Sequence, residues 1–205
     1  MTGLREALRL LVITDDLRDG VVGLVSRAAA AVEGGATMIQ VRLKHVEART
    51  LAEVTRAVVQ AVPVPVLVND RADVAIAAGA HGVHVGPDDV PVEAIRRFAP
   101  PGFVIGASLG AGDDPTALGS ADYVGIGPVF ATASKTDAGA ALGVAGFTAL
   151  RALGARPTVA IGGITASHAA LLRDAGADGV AVIQAVMAQA DPRSAAQALR
   201  RAFGT

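Results

Sequence analysis

The chain has no cysteine and no tryptophan, one tyrosine (Tyr123), one asparagine (Asn69) and two lysines (Lys44 and Lys135) among its 205 residues. Without cysteine there are no disulfides, thiolate nucleophiles, zinc ribbons or iron–sulfur clusters, which suits a reducing compartment. Aromatic residues make up 3% of the sequence, so stacking platforms for nucleic-acid bases are nearly absent. The formal net charge is −1 and no basic run breaks the balance, which argues against a nucleic-acid or membrane-surface partner. No apolar run reaches the ~18 residues of a spanning helix. The start, MTGLREALRLLVITDD, lacks the long apolar region and small-residue cleavage site of a signal peptide. The expectation is a cytoplasmic protein.

What is abundant is Ala, Val, Leu, Ile and Gly. The sequence is 52% apolar with a mean hydropathy of +0.47, enough for one well-filled core. A junction recurs: EGGATMIQV (33–41), AGAHGVHV (78–85), LGSADYVGI (118–126) and AGADGVAV (175–182) each pass from a helical stretch through Gly into a β-branched run. Glycine ends a helix in the left-handed conformation, and a Val/Ile run is what a strand buried on both faces looks like.

Eight such strands are expected: RLLVIT (9–14), TMIQVR (37–42), PVLVN (65–69), GVHV (82–85), FVIGAS (103–108), DYVGIG (122–127), TVAIG (158–162) and DGVAVI (178–183). Helical spacing fills 21–32, 50–62, 72–78, 92–98, a short 114–118, 147–153, 167–175 and 193–203. Eight alternating units with no linker between them predict a single (β/α)8 TIM barrel of class α/β spanning residues 1–205. An open doubly wound sheet is the alternative, because alternation does not show closure.

In either architecture chemistry belongs at the C-terminal ends of the strands. The second strand places Gln40, Arg42 and Lys44 on one face and Ile39, Val41 and Leu43 on the other. A Gln inside an apolar strand is hard to explain as a solvated edge. The third strand ends in Asn69-Asp70 and the fourth in Gly86-Pro87-Asp88-Asp89. Either pair suits helix capping; two carboxylates from adjacent strand ends also suit Mg²⁺, completed by water and substrate phosphate.

Ser108 ends the fifth strand, and the sixth runs into a loop carrying Thr132, Ala133, Ser134 and Lys135, a composition suited to oxyanions. The seventh ends in Gly162-Gly163 and the eighth in Ile183-Gln184, where barrels of this kind often bind phosphate. His84 alternates with Val83 and Val85 and reads as a hydrogen-bonded interior residue; His45, His81 and His168 read as surface or loop residues. No histidine pair has the spacing of a metal site. Both lysines and the asparagine thus fall at predicted strand ends. Cations with two carboxylates imply a metal-bound polyphosphate, and the Gly-rich end a second phosphate.

These residues in this order resemble the thiamine-phosphate synthase family, through ITDD, GATMIQVRLK, VLVNDRADVAIAAGAHGVHVGPDD, VIGAS, ADYVGIGPVFATASK, VAIGGI and AGADGVAVI. The resemblance covers nearly the whole chain. It implies a (β/α)8 barrel that joins 4-amino-5-hydroxymethyl-2-methylpyrimidine diphosphate to 4-methyl-5-(2-phosphoethyl)thiazole, giving thiamine phosphate and diphosphate. By the same resemblance Gln40, Val41, Arg42, Leu43, Lys44, Asn69, Ser108 and Lys135 contact the pyrimidine diphosphate. Asp70 and Asp89 hold Mg²⁺, and Thr132, Ala133, Ser134, Gly163, Ile183 and Gln184 surround the thiazole phosphate. Arg42, Lys44 and Lys135 would stabilise the leaving diphosphate.

Three positions depart from the family pattern. Gly110 stands near a frequent histidine, Leu43 where an acidic residue is usual, and Gln184 where serine is common. The related thiazole tautomerases share the barrel and the GGI and AGADG motifs, but they lack the metal-binding carboxylates and carry a histidine after the sixth strand, where this chain has Pro128. A non-catalytic phosphate-binding barrel is a further alternative; Lys44, Lys135, Asp70 and Asp89 speak against it.

Overall fold

A computed structural model describes residues 3–132 and 140–204. Among them, eight parallel strands close into a barrel in chain order: β1 (Leu10–Ile13), β2 (Met38–Val41), β3 (Val66–Asn69), β4 (Gly82–Val85), β5 (Val104–Leu109), β6 (Tyr123–Ile126), β7 (Thr158–Ile161) and β8 (Gly179–Val182). Closure is made by β1 beside β8, with Leu11 opposite Ala181. The open-sheet alternative is thereby excluded. Helices α1 (Leu4–Ala7), α2 (Gly20–Glu33), α3 (Ala48–Ala61), α4 (Ala72–Ala78), α5 (Val92–Arg96), α6 (Gly143–Arg151), α7 (Ala166–Asp174), α8 (Gln184–Met187) and α9 (Pro192–Phe203) surround it. The short helix expected over 114–118 is a single 3-10 turn, Pro115–Leu118, opened by the Asp114 side chain accepting from Thr116 N at 2.9 Å.

The period of two along each strand sorts the core into two layers. Leu11, Ile13, Met38, Leu67, Tyr123, Val159 and Ala181 fill the barrel. Leu10, Val12, Ile39, Val41, Val66, Val68, Val180 and Val182 pack outward against the helices. Each such aliphatic side chain contributes about 1.5–3 kcal/mol on burial. With both layers apolar, the strands read as continuous hydrophobic runs.

The recurring junction now has a physical role. Its last polar residue before each even-numbered strand accepts an N–H from the first two residues of the preceding odd-numbered strand. Thr37 Oγ1 takes Leu10 N at 2.8 Å, His81 Nδ1 takes Val66 N at 3.1 Å, Asp122 Oδ2 takes Ile105 N at 2.7 Å and Asp178 Oδ2 takes Thr158 N at 2.8 Å. Four side chains of three types thus satisfy otherwise orphaned donors at alternate seams of the barrel floor. Arg96 pairs with Asp122 at 2.8 Å and Arg5 with Asp178, tying the floor to its surroundings.

Two boundaries differ from the sequence reading in ways that shape the mouth. Strand β8 stops at Val182, and Gln184 opens α8 instead of ending the strand. Helix α6 begins at Gly143, well before the expected 147; the pair Gly143 and Gly146 reads as loop, but burial of Phe147 fixes the turn. No helix among the described residues is long and apolar enough to cross a membrane.

Candidate active site

The strand ends surround an open cavity of about 890 Å³, within the usual range for small-molecule sites. Of the expected residues, Gln40, Arg42, Lys44, Asn69, Asp70, Asp89, Ser108, Thr132, Gly163, Ile183 and Gln184 all line it. Val41 and Leu43 do not. Alternation turns Val41 into the layer between sheet and helices, and Leu43 packs against the same layer, so neither side chain faces the mouth, as the alternation of β2 predicts. Ala133, Ser134 and Lys135 lie outside the described residues.

On β2, Gln40 is 3% exposed and its Nε2 donates to Asn69 Oδ1 at 2.7 Å. That bond explains a glutamine in an apolar strand and fixes the amide orientation of Asn69. The buried Thr14 hydroxyl, just past β1, accepts Arg42 N at 2.9 Å and donates to Arg42 O at 3.2 Å, holding the chain as it leaves the strand. Arg18, Arg27, Arg71 and Arg96 are all paired with aspartates; among the described residues Arg42 and Lys44 form no ion pair. Their charge is available to an anion in the cavity.

Asp70 has a left-handed backbone, φ 63°, with its N–H donated to His84 O at 2.8 Å. Asp and Asn tolerate that region better than other non-glycine residues. Neither Asn69 nor Asp70 caps α4: Arg71 holds the N-cap position without a side-chain bond. Asp89 does not cap α5 either, since Pro91 stands there. One oxygen of Asp89 instead receives Gly86 N at 2.7 Å, and the same device recurs after β5, where Asp113 Oδ2 receives Gly110 N at 2.6 Å. The repeated Gly-x-x-Asp spacing in GPDD and GAGD is the signal that would have found Asp113, which the sequence reading missed and which lines the cavity.

Two further walls were missed or underused. His84 bounds the cavity while bonding to Ser108 and Tyr123, as its interior position suggested. Gln189 also lines it, donating from Nε2 to Gln184 O at 3.0 Å across α8, an element absent from the sequence reading. His168 stacks on Phe130, centroids 4.0 Å apart, and forms a capping box with Thr165 at the start of α7, within the helical stretch expected over 167–175.

The Gly-rich end of β7 is shaped by close approach. A Cβ at Gly163, φ 63°, would fall 2.5 Å from Ala131 O, and Phe130 N donates to Gly162 O at 3.0 Å. The loop after β6 is seated directly on these glycines. Among the described residues no cluster of three His, Asp or Glu stands ready for a metal. A cation here would rest on the two carboxylates Asp70 and Asp89, with its other ligands from water and substrate.

An eight-stranded parallel barrel whose mouth gathers two cations free of ion pairs among the described residues, four carboxylates and a glycine-lined loop defines an enzyme for small molecules. The thiamine monophosphate synthase family model matches residues 10–186. A thiamine-phosphate synthase of Methanoculleus marisnigri is 47% identical over 196 residues, 93% of each chain, and one of Azorhizobium caulinodans is 41% identical over 97% of this chain and 96% of that one. A solved structure of the thiamine phosphate pyrophosphorylase of Pyrococcus furiosus superposes with a TM-score of 0.87 at 37% identity, covering 98% of both chains. The chain belongs to the thiamine monophosphate synthase family, and with it to the transferases of thiamine biosynthesis.

Proposed function

We propose that the chain condenses 4-amino-5-hydroxymethyl-2-methylpyrimidine diphosphate with 4-methyl-5-(2-phosphoethyl)thiazole, releasing thiamine phosphate and diphosphate. The observation that carries the reading is the pairing of Arg42 and Lys44, free of ion pairs among the described residues, with Asp70 and Asp89 around one cavity. The reaction breaks the methylene C–O bond, the electron pair leaving with the diphosphate, and the thiazole nitrogen then bonds to the resulting ring-stabilised cation. No protein nucleophile is required, and the protein's task is to stabilise charge and exclude water.

Arg42 and Lys44 bind the departing diphosphate, joined by Lys135 from the loop after β6. Gln40 and Asn69, locked to each other, orient the pyrimidine; Ser108 approaches the same substrate. Thr132, Ala133, Ser134 and Gly163, with Ile183 and Gln184, receive the thiazole phosphate. Asp70 and Asp89 fit Mg²⁺, because two carboxylates completed by water and phosphate oxygens are its ordinary donor set. Bound there, Mg²⁺ neutralises charge on the diphosphate oxygens. The setting is cytoplasmic, and both partners are small phosphorylated molecules.

The test is incubation of purified protein with both substrates and Mg²⁺, with thiamine phosphate as the readout. Its formation, dependent on the metal, supports the reading. Absence of product, with tautomerisation of the thiazole carboxylate instead, overturns it in favour of the isomerase branch.

A further inference from the structure

Beneath the cavity three side chains from adjacent strands form a hydrogen-bonded line running from the barrel interior to its mouth. The Tyr123 hydroxyl on β6 lies 2.8 Å from His84 Nδ1 on β4, and His84 Nε2 lies 3.0 Å from Ser108 Oγ on β5. Two glycines clear the space for it. A Cβ at Gly106 would fall 2.2 Å from Tyr123 Cζ, and one at Gly125 would fall 3.0 Å from His84 Cε1. In register, Gly106 stands beside both His84 and Tyr123, and Gly125 beside Ser108.

The direction of the line follows from its buried end. Tyr123 is 1% exposed, and burial pushes its phenol well above the usual tyrosine range, so it keeps its proton. A buried O–H needs an acceptor, and among the described residues that acceptor is His84 Nδ1. A neutral imidazole accepting at Nδ1 carries its hydrogen on Nε2. Nε2 therefore donates to Ser108 Oγ. The opposite tautomer would make the phenol oxygen the acceptor and leave the buried phenol hydrogen without a partner among the described residues. Ser108 Oγ, already receiving a hydrogen bond, turns its own hydrogen to the cavity that it lines.

We infer that Tyr123 and His84 are positioning residues that hold Ser108 as a hydrogen-bond donor toward the anionic substrate. The inference rests on the proposed reaction for the identity of the anion, an oxygen of the pyrimidine diphosphate. A serine free to rotate would spend part of its time donating to the imidazole; one fixed in advance meets developing negative charge without reorganising.

The first test reads the tautomer in the intact protein, by long-range proton–nitrogen correlation on histidine labelled with ¹⁵N. A protonated Nε2 and bare Nδ1 at His84 are expected, with the preference lost in Tyr123→Phe, which keeps the ring and removes the hydroxyl. A hydrogen on Nδ1 in the native protein overturns the inference whatever the activity assay gives. The second test is a double-mutant cycle. Tyr123→Phe should lower kcat about tenfold in the native background and less than about twofold in a Ser108→Ala background, because its effect passes through that hydroxyl. Equal losses in both backgrounds would mean a packing role and would overturn it. If the protein makes no thiamine phosphate, the cycle is read on binding of inorganic diphosphate with Mg²⁺, so failure of the reaction and failure of the relay remain distinct.

Discussion

At the residue scale, the site is assembled from side chains whose roles are set by what holds them as much as by what they are. Asp70 is the sharpest case. It is exposed, its backbone is left-handed, and neither property depends on its charge. Asp70→Asn should therefore keep the fold, since Asn tolerates the same backbone. It should lower turnover by about 10²-fold or more if the carboxylate anchors the metal–diphosphate charge. Paired thermal melts and steady-state rates check this; a melting point that fell with the rate would point to structure instead. Gln40 behaves oppositely. Gln40→Leu removes the partner of Asn69 Oδ1, at a cost of about 1–3 kcal/mol, so it should depress the denaturation midpoint together with activity. The alternation in QVRLK was legible in the sequence and placed Gln40, Arg42 and Lys44 correctly. Asp113 was legible only through the repeated Gly-x-x-Asp spacing, because its place depends on how a loop folds back to give Gly110 N a partner, a matter of torsions and not of periodicity.

At the scale of elements, the repeated junction was visible as a pattern before its purpose was. Helix, glycine and β-branched run were all legible, whereas the clamp from each junction to the preceding strand joins residues 15 to 27 apart and leaves no local periodic trace. Asp122→Ala removes the acceptor of Ile105 N and should destabilise the fold by about 1–3 kcal/mol; Asp122→Asn retains an acceptor and should recover most of that. Equilibrium urea unfolding distinguishes the two. Helix α9 offers a pH-dependent counterpart. Asp191 accepts from Ser194 N at 3.1 Å and Ser194 Oγ at 2.5 Å, bonds that hold its carboxyl below the usual aspartate range. A depressed folded-state pKa gives stability that is present above the unfolded value and lost as pH falls through the folded one. The urea midpoint of the native chain should thus fall more steeply on acidification than that of Asp191→Asn, which caps without titrating. The short helix α8 escaped the sequence reading because four residues are too few to show a period.

At the scale of the whole molecule, the eight alternating units were legible but their closure was not, since it rests on β1 meeting β8 across almost the full length of the chain. Closure is what brings Arg42 and Asp70 from one side of the ring and Gly163 and Gln184 from the other to a single mouth. A ligand set drawn from so many strands should stabilise the barrel as a unit. Inorganic diphosphate with Mg²⁺ is expected to raise the melting temperature more than the sum of either alone, and additive shifts would count against a shared site at Asp70 and Asp89. The molecule also carries its own reporter. With one tyrosine and no tryptophan, its near-ultraviolet absorption and emission arise almost wholly from Tyr123, whose hydroxyl touches His84 at the cavity wall. Intrinsic fluorescence, in most proteins a blurred average over many rings, is here the signal of one phenol beneath the mouth, read without label or engineered probe.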